Sequence, residues 1–307
     1  MHDRKPWQEP SRRAFLGGAA GVAVAAVLPS SARSTRAAAT ALTGATVKPQ
    51  AYGQTNALTA ARIANGFIGL PLATTFQKLY RPEGVFGTKP TAEMNQLASA
   101  GCQFVLSVKP SRTLSGSQQS EMATFLDALN RAGITYRVVL WSEMDDMAFT
   151  SQQQWQAYWS FYAPVVKAAG VKCGYDPGCN LNALPKAVAW FPSNPAPDEL
   201  WIDYYATAFE SGARIDALIA EASAAGVQAG LAEWGWEGNL LANQMTMPWW
   251  NAYCNYLIHL AQQGKFPLGA SYYDSERLGI RSNIIDSSSD PRVPMIHNVC
   301  NAIQAAR

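Results

Sequence analysis

The chain has 307 residues, 48% of them hydrophobic and 15% charged. That is ample for one large core, and a single β/α barrel commonly takes about 250 residues. The formal net charge is +2, but Arg4, Lys5, Arg12, Arg13, Arg33 and Arg36 all fall in the first 39 residues, so the remainder is slightly acidic and offers no basic surface for nucleic acid.

The basic start has an explanation of its own. Ser11-Arg12-Arg13-Ala14-Phe15-Leu16 precedes a Gly/Ala/Val run from Gly17 to Leu28. The run is too short to span a bilayer, which takes about 20 apolar residues. It resembles a twin-arginine export signal, with Ala37-Ala38-Ala39 as a cleavage site and Ser30-Ser31-Ala32 as an earlier one. The resemblance implies a signal peptide over 1–39 and a mature domain over 40–307. The mature protein is then expected to be secreted, free of the membrane and monomeric.

Beyond this segment the elements come in a regular order. Ala45 to Tyr52 is a weak strand. Asn56 to Ala64 is helical, stopped by Asn65-Gly66. Phe67 to Thr75 is apolar and β-branched and reads as a strand. Thr91 to Ala100 is a helix stopped by Gly101, and Gln103 to Lys109 is a strand. Ser117 to Ala132 is a helix with Met122, Phe125, Leu126 and Leu129 on one face, closed by Gly133.

Tyr136 to Leu140 is an apolar run that passes into Trp141-Ser142-Glu143-Met144-Asp145-Asp146. Gln152 to Ala169 is an aromatic helix, closed by Gly170, whose rings are expected to pack against a sheet. Val171 to Tyr175 is a strand, Ala183 to Trp190 a helix, and Leu200 to Tyr205 a strand. Gly212 to Ala225 is a helix stopped by Gly226. Val227 to Glu233 is a second strand ending in glutamate, followed by Trp234-Gly235-Trp236. Pro248 to Gln263, Leu268 to Tyr273 and Arg292 to Ala306 complete the series as helix, strand and helix.

Strand and helix alternate throughout, which is the pattern of a parallel sheet with crossover helices. Counting the weak first strand gives eight, and an eight-fold β/α (TIM) barrel is the expected closure. Active sites of such barrels lie at the carboxyl ends of the strands. Glu143 then ends the fourth strand and Glu233 the seventh. A carboxylate there faces water or faces a site, because burial without a partner is costly. Two such glutamates are what acid/base cleavage of a glycoside requires.

The segment Arg137 to Asp145 is similar to the acid/base segment of glycoside hydrolase family 26, which reads Arg…His-Glu-Met-Asn. Leu231-Ala232-Glu233-Trp234-Gly235 is similar to that group's nucleophile segment. The resemblance is to the retaining β/α-barrel hydrolases of clan A, and covers roughly residues 45 to 305. It implies Glu143 as acid/base and Glu233 as nucleophile, acting on a β-linked polysaccharide or oligosaccharide without a cofactor. Ser142 stands where the clan has Asn or family 26 has His, a neighbour that helps bind the sugar. That departure leaves a non-catalytic carbohydrate-binding barrel as the alternative.

Other residues are candidates by position. Tyr204 or Tyr205 is placed to donate a hydrogen bond to Glu233. Trp141, Trp234, Trp236, Tyr272 and Tyr273 are candidates to stack on sugar faces. Ser142, Asp145, Asp146 and Asp274 are candidate polar groups of the cleft. No metal site is expected, since Cys and His show no zinc spacing, and an esterase lacks its Gly-x-Ser-x-Gly elbow. Of Cys102, Cys173, Cys179, Cys254 and Cys300, an odd count leaves at least one unpaired. Cys173 and Cys179 flank a turn-rich segment open either to a disulfide or to two thiols.

Overall fold

The computed structural model describes residues 42–46, 56–72, 75–143, 149–236, 246–273, 285 and 287–306. The chain divides into two units, Met1–Ala38 and Ala39–Arg307, and every described residue belongs to the second. The proposed signal peptide therefore lies outside the described residues.

The elements are β1 (Leu42–Thr46), α1 (Ala57–Phe67), β2 (Phe76–Tyr80), α2 (Ala92–Ser99), β3 (Gln103–Val108), α3 (Gly116–Arg131), β4 (Tyr136–Leu140), α4 (Gln152–Ala168), β5 (Cys173–Tyr175), α5 (Leu184–Ala189), β6 (Glu199–Tyr205), α6 (Ala206–Glu210), α7 (Asp216–Ala224), β7 (Gln228–Gly235), α8 (Met247–Gln262), β8 (Gly269–Tyr273) and α9 (Val293–Ala305). The strands form one eight-stranded sheet in the order β1-β8-β7-β6-β5-β4-β3-β2, and all of its ladders are parallel. The two end strands, β1 and β2, approach within 8 Å without a ladder between their described residues. The fold is an eight-fold β/α barrel. No helix among the described residues is long and apolar enough to cross a membrane.

Local chemistry explains the boundaries. Asn56, Thr91 and Ser151 each accept a backbone N–H from the first turn of α1, α2 and α4, so orphan donors at the helix starts are satisfied. At the end of α3, Gly133 has φ 69°. Its N–H donates to Asn130 O at 3.0 Å, and Ile134 N–H donates to Leu129 O at 3.2 Å. This paired closure needs a left-handed residue, which glycine supplies without a Cβ clash.

Three expectations need correction. The described residues of the segment from Phe67 to Thr75 form no strand. Helix α1 runs through Asn65-Gly66 because the Asn65 amide turns back to Ala61 O at 2.8 Å, and the chain turns at Gly69, φ 70°. The second strand is Phe76–Tyr80, which the buried Gln77 and Lys78 disguise as polar. The first strand is Leu42–Thr46, earlier than expected. The short helix α6 directly follows β6, so the helix expected from Gly212 begins only at Asp216.

The barrel interior is filled in layers. At the amino ends, Arg137 on β4 donates to Glu199 on β6 at 3.0 Å and to Gln103 on β3 at 3.2 Å. The next layer is apolar: Phe76, Val105, Val139, Trp201, Ala232 and Leu268. Trp201 fills most of it, edge-on to Phe76 at 5.0 Å. It fits because β5 and β7 present glycines. A Cβ on Gly174 would lie 2.8 Å from Trp201 Cδ1, and one on Gly230 would lie 2.8 Å from Trp201 Cζ3. Outside the sheet, Trp155, Tyr158, Trp159 and Tyr162 of α4 are buried, as expected of rings that pack on strands. All five cysteines are buried, and no disulfide joins Cys173 to Cys179.

Candidate active site

Above the apolar layer, at the carboxyl ends of the strands, lies a polar cluster. Glu143 leaves β4 through a bent backbone. Trp141 and Glu143 have φ 53° and φ 54°, a left-handed region that bulky residues rarely enter. Neighbouring strand ends hold the bend: Trp141 N–H donates to Val108 O and Glu143 N–H to Asp176 O, each at 2.9 Å. Such conformations cost on the order of 1–3 kcal/mol each and gather at functional sites. Glu143 is half-buried.

Glu233 reaches the interior through an irregularity in β7. The register with β6 pairs Ile202 with Leu231 but Asp203 with Glu233, and the β8 ladder also shifts between Leu231 and Trp234. One extra residue, Ala232, enters β7 at that point. Strand side chains alternate between faces, so a regular strand with Ala232 inward would send Glu233 outward. The bulge restores it to the inside, which is how bulges re-aim side chains beside active sites.

Both Glu233 oxygens accept phenol hydrogen bonds. Tyr205 OH donates to Oε2 at 2.5 Å, and Tyr80 OH donates to Oε1. Burial, reinforced by the Glu233 charge, pushes both phenols well above the usual tyrosine range. They therefore remain protonated donors. Tyr80 as a residue is 39% exposed, while its hydroxyl reaches down to Glu233.

Beneath Glu233, the Lys78 ammonium lies 2.8 Å from Asp176 Oδ2, 2.5 Å from Asp203 Oδ2 and 3.7 Å from Glu233 Oε1. Ser142 Oγ is 2.7 Å from Asp176 Oδ2 and 3.1 Å from Asp203 Oδ2. Burial by itself would lower the Lys78 pKa. The charges of Asp176, Asp203 and Glu233 reverse that and hold it well above the ordinary lysine value. Lys78 occupies the point where the acids converge, and no metal-holding group of His, Cys, Asp and Glu exists among the described residues.

The candidates from sequence divide. Glu143, Glu233, Tyr205 and Ser142 come together at the barrel mouth. Ser142 is spent on the two buried aspartates instead of facing the cleft. Tyr204 donates to Ala213 O at 2.7 Å, away from Glu233. Trp234 and Tyr272 are corrections: both are fully buried in the layer between sheet and helices. Trp234 stacks on Trp250 at 6.1 Å, and Tyr272 meets it edge-on at 5.3 Å. Outward strand positions bury rings against α8, so neither can stack on a sugar.

Trp141 is 8% exposed, packed on Phe149 and Tyr158. Its ring carries Lys109 at 5.8 Å and Arg112 at 5.5 Å. Trp236 is half-buried against Trp250. Asp145, Asp146, Asp274 and the Tyr273 side chain lie outside the described residues. Arg137, part of the quoted motif, sits at the opposite end of the barrel from Glu143. Sequence reading missed Lys78, Tyr80, Asp176 and Asp203. The available signal was a charge inside an apolar strand, as in Phe76-Gln77-Lys78-Leu79-Tyr80 and Trp201-Ile202-Asp203.

No protein-family model matches the sequence, and no curated protein matches it either. Solved structures do match in fold. A glucosidase from Croceicoccus marinus superposes with a TM-score of 0.54 at 11% identity, over 85% of this chain and 65% of that one. ScGas2, solved in complex with a compound, gives 0.53 at 12% identity, over 84% and 64%. The catalytic domain of a GH26 endo-β-1,4-mannanase from Bacillus sp. JAMB-750 gives 0.53 at 11% identity, over 87% and 88%. The chain thus spans slightly less than two thirds of the glucosidase and of ScGas2. At these identities the likeness is one of fold alone, the β/α barrel.

Proposed function

We propose that the protein is a retaining glycoside hydrolase that acts on a β-linked polysaccharide after export by the twin-arginine route. The observation that carries the reading is Glu233. Its carboxylate stands at a strand end, both oxygens held by phenol donors, and Glu143 leaves the end of β4 at the same mouth. In the first step Glu233 attacks the anomeric carbon. The glycosidic C–O bond breaks, and Glu143 gives its proton to the departing oxygen. In the second, Glu143 takes a proton from water, which displaces Glu233. Tyr80 and Tyr205 hold the attacking oxygens in place. Tyr80, exposed over part of its surface, is a better candidate to meet the sugar than the buried Trp234. No cofactor enters either step.

The test is a panel of β-glycans with the mature protein, combined with a 2-deoxy-2-fluoro aryl glycoside that traps the intermediate. The expected result is a covalent adduct on Glu233 by peptide mass spectrometry, and a product of retained configuration. Binding of a glycan without cleavage or adduct would replace this reading with the carbohydrate-binding barrel. The engagement of Ser142 by buried acids favours that second reading, because the residue before Glu143 is then withheld from the sugar.

A further inference from the structure

Lys109 is the first residue past the end of β3. Strand side chains alternate between faces, and contacts show which residues of β3 face inward. Val105 lies in the apolar interior layer, and Ser107 Oγ accepts the Ser142 N–H at 3.4 Å. Lys109 is next in that series, at the barrel mouth. Its ammonium lies 5.8 Å from the centre of the Tyr80 ring and 5.8 Å from that of Trp141. Tyr80 donates its hydroxyl to Glu233, and Trp141 stands two residues before Glu143. Lys109 thus sits between the strand that steadies the proposed nucleophile and the strand that carries the proposed acid/base.

The charge of Lys109 is not neutralised. The residue is half-buried, and no carboxylate pairs with it among the described residues. Ring faces attract a cation but carry no net charge to cancel it. Arg112 adds a second cation, 5.5 Å from the same Trp141 ring. Its pair with Glu83, at 3.5 Å between side chains 47% and 40% exposed, is of the solvated kind that contributes little. Lys78 differs, being enclosed by three acids. Two cations therefore gather at one rim of the mouth, on a domain that is otherwise slightly acidic.

We propose that Lys109, supported by Arg112, binds an anionic group of the glycan, so that the substrate is an acidic β-glycan bearing carboxylate or sulfate groups. The proposal names the substrate class for the functional reading above and rests on it for the glycan, not for its cleavage. The acids around Lys78 outnumber it and would repel a polyanion. Lys109 and Arg112 offset that repulsion at the rim and make an acidic sugar the better fit. Lys109 is a specificity-determining residue and takes no part in proton transfer.

The test is binding, which needs no turnover. The mature protein carrying E233Q is titrated by calorimetry with β-linked oligosaccharides of several backbones, each neutral, oxidised to uronic acids, or O-sulfated. On at least one backbone an acidic form is expected to bind roughly tenfold more tightly than its neutral counterpart. Which acidic form gains separates carboxylate from sulfate. The gain should shrink between about 50 mM and about 500 mM salt, as screening requires. Adding K109M should remove most of the gain and leave neutral binding unchanged, and K109R should keep it. K109M retains the aliphatic stem and breaks no ion pair, so it is expected to fold. The parent supplies a second measurement, with kcat/KM higher on the acidic glycan. The proposal is overturned if no acidic glycan binds more tightly than its neutral match, if the preference ignores salt, or if K109M weakens acidic and neutral binding alike. Cleavage confined to neutral glycans overturns it too. Preferential binding of acidic glycans without cleavage would support it and count against the hydrolase reading alone.

Discussion

The Lys78 ammonium on β2 meets the Asp203 carboxyl group on β6 at 2.5 Å. These strands are four ladders apart in the sheet order, so the contact crosses the interior of the barrel. It joins the strand that sequence reading misplaced to the strand that carries Tyr205. Through Asp176, just past the end of β5, and Glu233 on β7 the same ammonium also reaches two further strand ends.

Lys78→Met should destabilise the fold by about 3–5 kcal/mol, the usual cost of breaking a buried ion pair and leaving its partners uncompensated. Urea unfolding measures it. The Lys78 pKa is raised in the folded state. Its contribution is therefore fully present below the unfolded lysine value of about 10.4, and is lost as pH rises through the folded pKa. The penalty should be constant from neutral pH to about 10 and shrink only in stronger alkali.

Tyr205→Phe removes one of the two donors on Glu233 and leaves the ring. A hydrogen bond to a charged group contributes about 1.5–3 kcal/mol. If that stabilisation orients the nucleophile, kcat on an aryl glycoside should fall by roughly 10- to 100-fold, since about 1.4 kcal/mol is tenfold. The melting temperature should change by only a few degrees. A loss confined to KM would show that Tyr205 contacts the sugar instead of holding Glu233.

The two glutamates should fail differently. Glu233→Ala removes the attacking carboxylate, so activity should fall by several orders of magnitude on every substrate, and azide should at best give an inverted product. Glu143→Ala leaves the nucleophile intact. An aryl glycoside with a good leaving group should still form the intermediate, and azide should release a product of retained configuration, because activation of water is no longer needed. Polarimetry or NMR of the azide product decides between these assignments.

Gly174→Ala should destabilise the barrel although it touches no site residue. Its Cβ would meet Trp201 Cδ1 at 2.8 Å and Val139 Cγ1 at 3.0 Å. Overpacking of this kind costs about 1–3 kcal/mol. Trp201→Phe in the same chain should recover part of the loss by vacating that space, which a double-mutant cycle in urea would measure.

Much of this was legible in the chain itself. Alternating strands and helices, with glycine stops such as Gly133, make a parallel barrel the closure that buries every apolar face. Two glutamates at strand ends follow from the same reading, because a carboxylate after a buried strand has few places to go. What periodicity does not carry is which way a side chain points once the strand is irregular. Regular alternation would put Glu233 on the outer face, and the extra residue at Ala232 decides otherwise. Nor does it pair charges across a barrel. Lys78 is 125 residues from Asp203, and alone it reads as a break in a strand. Only closure of the sheet makes it the counter-ion of three acids. Trp234 and Tyr272 show the converse: rings next to site residues in sequence lie on the opposite face of the strand, and the tertiary structure buries them under α8.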